Sequence, residues 1–104
     1  MTDTVLGKIQ SITIENAEGR FGIYVTLVGE STGVQDSKTI WTSNLKDDPI
    51  DSATSRRISE VFSWLYGLMD AAKVSNFNDL QNVPVMITYE DNLLKSWRIL
   101  TEVI

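Results

Sequence analysis

The chain has 104 residues, 42% of them apolar and 22% charged, which predicts a single globular domain over residues 1–104 and argues against two. It contains neither cysteine nor histidine, so disulfides, thiolate metal cages, the commonest metal ligand and the usual proton shuttle near neutral pH are all excluded. Nine basic residues stand against fourteen acidic ones, a net charge of −5, and the resulting field repels phosphate backbones and anionic lipid.

Neither half of the chain is a basic module: residues 1–53 carry four basic and eight acidic side chains, residues 54–104 five and six. The opening segment Met1–Lys8 has no basic stretch followed by an apolar core, and no apolar run approaches the roughly 20 residues that cross a bilayer. A cytoplasmic protein without a membrane partner is the expectation.

Leu6, Ile9, Ile12 and Ile14 open the chain with β-branched spacing, which predicts a strand. The inward parity switches between Ile9 and Ile12, so a bulge belongs near Gln10-Ser11. Asn16–Arg20 is turn-rich, and Phe21, Ile23, Val25 and Leu27 then alternate with Gly22, Tyr24 and Thr26. The two runs predict an antiparallel hairpin with Gly19 at positive φ. Gly29–Gly33 makes the next turn, and Val34–Thr42 reads as a third, more polar strand ending in Ile40-Trp41. Residues 43–53 hold no period and contain Pro49, which predicts the longest loop.

Ile58, Val61, Phe62, Leu65, Met69 and Ala72 recur as one helical stripe, widened by Trp64 and Leu68. Ser52, Thr54 and Ser55 are the candidate caps. Gly67 within the stripe is expected to mark close packing on the sheet. Ser75–Leu80 reads as a capped single turn with Phe77 and Leu80 inward. Val83, Val85, Ile87 and Tyr89 predict a strand that starts near Pro84, and Leu93–Val103 its hairpin partner with Trp97, Ile99 and Val103 on one parity. The order β-β-β-α-β-β predicts an α+β domain, an antiparallel sheet of about five strands with one main helix on one face.

Candidate chemistry is sparse. Ser43 and Lys46 match the S-x-x-K spacing of a Ser-Lys nucleophile but lie beside the proline-broken loop without the accompanying motifs. Asp47, Asp48 and Asp51 crowd one loop and could offer carboxylates to a hard cation, yet the spacing lacks the glycine and closing glutamate of an EF-hand, which favours a solvated acidic loop. Gly19-Arg20-Phe21-Gly22 spells the G-x-x-G of a K-homology loop, but it joins two strands, so hairpin turn chemistry is the better account. No catalytic residue, metal ligand or cofactor is assigned. Tyr24, Trp41 and Tyr89 are the aromatics that could stack on bases if exposed. Trp64 and Trp97 fit the core pattern, whereas Trp41 falls at a strand end beside the acidic loop. Trp41 with Asp47, Asp48 and Asp51 therefore forms the candidate partner-binding set, suited to a protein with a basic face.

Three stretches, Ala72–Leu80, Val83–Ile87 and Leu94–Leu100, resemble a group of small proteins encoded by bacterial phages and prophages. That group tends to run from a β-rich half through a helix to a final hairpin and often has a glycine-rich segment near its third strand; Gly33–Lys38 departs from the last feature. The resemblance implies an accessory role in the host cell, such as binding and blocking a host factor, for instance a nuclease of a defence system. The leading expectation is thus a non-enzymatic phage or prophage protein that occludes a host protein. Two alternatives stand beside it. One is an oligomer that sequesters a small anion or nucleotide through Arg20, Arg56, Arg57 or Arg98; a homo-oligomer is left open. The other is a single-stranded nucleic-acid binder, which the net charge disfavours.

Overall fold

Alternating β-branched residues, two tight turns and one long amphipathic segment set the layout of the computed structural model, which describes residues 2–101. Strands β1 (Thr2–Ala17), β2 (Arg20–Gly29) and β3 (Gly33–Trp41) lead through a short helical turn, α1 (Thr42–Leu45), to the main helix α2 (Ser52–Ala72). A 3-10 turn at Phe77–Leu80 returns the chain to β4 (Pro84–Glu90) and β5 (Leu93–Ile99). The predicted α+β order is present, with five antiparallel strands and one main helix. Val103, predicted to extend the last strand, lies outside the described residues, as does Met1.

The strands pair in the order β3-β2-β1-β4-β5. β1 is long enough to serve two neighbours: Thr2–Lys8 pair with β4 and Gly7–Ala17 with β2. Gly7 belongs to both ladders, opposite Gly29 on one side and Val85 on the other. A Cβ there would collide with the Val28 carbonyl oxygen and stand 2.7 Å from Ile87 Cδ1, so only glycine lets the strands approach this closely. The register then shifts between Ile9 and Ser11, leaving Gln10 as the bulged residue. Bulges increase local twist, which lets one strand bend between two parts of a curled sheet.

The β1–β2 and β4–β5 hairpins close through two-residue turns with positive φ at each central position: Glu18 (52°) and Gly19 (80°), then Asp91 (53°) and Asn92 (68°). This is the turn geometry whose twist matches flanking strands.

Ile9, Ile12, Ile23, Val25, Leu27, Ile40, Val85, Ile87 and Ile99 point from the sheet into one core, closed by Val61 and Ala72 of α2 and Leu80 of the 3-10 turn. Trp64, Leu65, Leu68 and Met69 pack against it. Two sequence expectations for the helix fail. Phe62 lies on the flank of the stripe and is 66% exposed, and Gly67 faces open space with no atom within 4 Å of an added Cβ. The helix cap is also displaced: Asp51, not Ser52, Thr54 or Ser55, accepts the amide hydrogen bond of Thr54 at 2.7 Å. Likewise Asn76 rather than Ser75 caps the 3-10 turn, accepting from the Asn78 amide.

The far end of the β1–β2 hairpin runs beyond the cover of the helix. Ile14 and Phe21 share the inward parity of their strands, yet they are 51% and 40% exposed. The radius of gyration, 15.0 Å, exceeds the roughly 13 Å of a compact chain this long, and the principal extents are 45 × 33 × 19 Å. No helix among the described residues is long and apolar enough to cross a membrane.

Candidate functional site

Trp41 ends β3 at the projecting end of the sheet, directly across from Arg20 at the start of β2. The tight Glu18-Gly19 turn fixes this end, because the Gly19 carbonyl accepts hydrogen bonds from the Thr42 amide (2.8 Å) and the Thr42 hydroxyl (3.2 Å). Chain reversal into α1 is therefore anchored on the first hairpin. Trp41 stays 53% exposed, with the Arg20 guanidinium 4.8 Å from its ring centroid. A cation over an indole face orients both groups without burying either.

Beside this pair lies an open groove of about 290 Å³ lined by Arg20, Thr39, Trp41, Asn44, Asp51 and Arg57, among others. Arg57 is held across it: Nε donates to the Thr39 carbonyl at 3.0 Å, and Nη1 donates to Glu60 Oε2 at 3.0 Å. Asp51 also lines the groove, and its hydrogen bonds with the Thr54 side chain and backbone hold its carboxyl below the ordinary value of 3.8. The carboxylate is thus committed to starting α2, where negative charge also favours the helix N-terminus.

Asp47 and Asp48 sit fully on the surface of the connecting loop. Among the described residues no three carboxylates gather as a metal-holding group, so the three aspartates of this loop do not converge on a cation. Ser43 and Lys46 are both exposed on and just after α1. The Gly19–Gly22 segment is a hairpin turn and strand start, as expected of turn chemistry.

The three candidate stacking aromatics separate. Tyr89 packs against the core and donates its hydroxyl to Thr32 Oγ1 at 3.1 Å. Tyr24 lies on the outward parity of β2, the face that carries Arg20 and Trp41, and donates to the Arg20 carbonyl at 3.1 Å. Trp41 is the exposed one. Trp64 and Trp97, expected inside, meet edge to face at 6.4 Å between centroids and pack against the core. The sequence reading missed how Arg57 reaches the groove, since a helix stripe does not tell where its polar flank meets a strand end. It also missed the exposure of Phe21 and Ile14, whose alternation is indistinguishable from that of buried strand residues.

The long first strand is shared between β2 and β4, the helix is inserted between β3 and β4, and β3 and β5 end the sheet without a backbone ladder between them. Tyr24, Arg20 and Trp41 share the outward face of β2 and β3. No protein-family profile, no curated protein and no solved structure matches the chain.

Proposed function

We propose that this chain is a non-enzymatic binding protein of phage or prophage type that acts by occupying a surface of a host protein, with Trp41 as its anchor. The carrying observation is the half-exposed Trp41 held by Arg20 at the projecting end of the sheet. Tryptophan and arginine dominate binding hot spots, and a ring already oriented by a neighbouring cation loses little freedom when a partner covers it. Asp47 and Asp48 follow one helical turn later, exposed, and the net charge of −5 favours a partner with a basic face. The composition supports the absence of chemistry: without imidazole or thiol, the chain lacks the side chains most used for proton transfer and nucleophilic attack near neutral pH.

The test is capture from bacterial lysates by the wild-type chain and by Trp41→Ala, followed by mixing of the purified partner with each. The expected outcome is one stoichiometric partner, lost with Trp41→Ala and weakened by Asp47→Asn together with Asp48→Asn. Equal capture by all three forms contradicts the reading.

The shared outward face of Tyr24, Arg20 and Trp41 favours one second reading, a single-stranded nucleic-acid binder using Tyr24 and Trp41 as stacking platforms and Arg20 against phosphate. It predicts salt-sensitive binding of an oligothymidylate that Trp41→Ala removes. Absence of such binding at low salt rejects it.

A further inference from the structure

β3 ends the sheet, so one of its edges carries no ladder. Opposed residues in an antiparallel pair alternate between exchanging hydrogen bonds and exchanging none, and the phase of the β2–β3 ladder is fixed at both ends. The Thr42 amide donates to the Gly19 carbonyl just beyond the Arg20–Trp41 pair, and the Gly29 amide to the Thr32 carbonyl just beyond the Val28–Gly33 pair. Between these ends Val34, Asp36, Lys38 and Ile40 therefore bond to β2. Gly33, Gln35, Ser37 and Thr39 turn their N–H and C=O groups to the open edge.

Two of those edge groups are taken up by side chains of the same chain. Asp36 Oδ1 accepts the Ser37 amide at 2.8 Å, while its Oδ2 accepts the Trp97 indole N–H at 2.8 Å. One edge position further on, Arg57 Nε donates from α2 to the Thr39 carbonyl at 3.0 Å. Asp36 and Lys38 also stand on the inward parity of this strand, opposite Val25 and Ile23. Inward-pointing charge and blocked edge groups are the devices by which sheets refuse a further strand.

We infer that Asp36 and Arg57 close the β3 edge against pairing with the β3 of a second copy. Without them the edge is self-complementary, as a two-fold contact requires. An antiparallel pairing centred on Ser37 brings each Ser37 N–H to the second copy's Ser37 carbonyl, sets Gln35 opposite Thr39, and places Val34 opposite Ile40 on the inward face. That pairing needs the Ser37 amide and the Thr39 carbonyl, the two groups that the caps occupy. The inference does not rest on any binding at Trp41.

Sedimentation from about 5 to about 500 µM, with amide exchange read residue by residue, tests it. In the wild-type chain the Ser37 amide is expected to exchange about tenfold or more slowly than the Gln35 amide, with neither rate depending on protein concentration. Asp36→Ala is expected to associate by about 100 µM, its Gln35 and Ser37 amides gaining protection as concentration rises. Arg57→Met, which leaves Asp36 and Trp97 in place, is expected to move association in the same direction more weakly. Trp97→Phe loses the same indole bond but keeps the Ser37 cap, so it is expected to behave as the wild type and separates edge opening from lost stability. Adding Ser37→Pro to Asp36→Ala deletes the edge donor at a position whose N–H bonds no strand of its own sheet, and is expected to abolish the association. Equal Gln35 and Ser37 exchange in the wild type, or edge protection that already grows with its concentration, overturns the inference. So do Asp36→Ala and Arg57→Met chains without concentration-dependent protection, a Trp97→Phe chain that associates like Asp36→Ala, or association that survives Ser37→Pro.

Discussion

Trp97 on β5 donates its indole N–H to Asp36 Oδ2 on β3 at 2.8 Å, joining the two strands that end the sheet on opposite sides. No backbone ladder connects these strands in the order β3-β2-β1-β4-β5. The curl is closed by side chains instead: Trp64 of α2 stands edge-on to Trp97, and the Lys38 ammonium lies 5.8 Å from the Trp64 ring centroid. A hydrogen bond to a charged acceptor is worth about 1.5–3 kcal/mol, more than a neutral one. Trp97→Phe keeps the ring and removes the donor, and is expected to cost about 1–2 kcal/mol in chemical denaturation. An unchanged midpoint would show that the curl does not depend on this contact.

Gly7 is expected to be intolerant for a different reason. Adding a methyl forces it against the Val28 carbonyl and Ile87 within two ladders at once, so Gly7→Ala should cost about 1–3 kcal/mol despite its better intrinsic propensity. Thermal unfolding of the variant checks this.

Asn92 occupies the second central position of the β4–β5 turn at φ 68°, where glycine has no steric penalty. Asn92→Gly creates the Asp-Gly pair that this turn prefers and should stabilise the chain by about 0.5 kcal/mol. A lower Tm would mean that the asparagine side chain contributes something beyond its tolerance of positive φ.

Asp51 links stability to acid. Its folded-state pKa lies below the ordinary 3.8 because Thr54 hydrogen-bonds the charged form. A depressed pKa means that the unfolded chain binds the proton more readily, so the contribution is fully present above 3.8 and is lost as pH falls through the folded value. Asp51→Asn retains a capping oxygen and should remove this part of the acid dependence, whereas Asp51→Ala should lower the Tm at neutral pH as well. Tm measured from pH 2 to pH 7 on the three proteins distinguishes these outcomes, and parallel curves would contradict the assignment.

Local chemistry made much of this fold readable in the sequence. The parity switch around Gln10, the positive φ at Gly19, the Pro84 strand start and the burial of Val61, Leu80 and Ile87 all follow from spacing and residue type. Phe62 did not, because a 3.6-residue stripe has flanks, and only the position of the sheet decides which flank is covered. Phe21 and Ile14 failed similarly: alternation gives a face but not how far along the strand the helix extends. The pairing of β1 with β4, the Trp97–Asp36 closure and the meeting of Arg57 with Thr39 join residues far apart in the chain, and no local pattern encodes them. Of the candidate site, Trp41 was legible as an aromatic at a strand end, while Asp51 proved to be engaged in capping α2.

The claim that most needs testing is that Trp41 anchors a protein partner. Titration of the purified partner into the wild-type chain and into Trp41→Ala, with matched Tm values, measures it directly. The account predicts saturable one-to-one binding per chain that falls at least tenfold on removing the indole. Indistinguishable affinities for the two chains would contradict it.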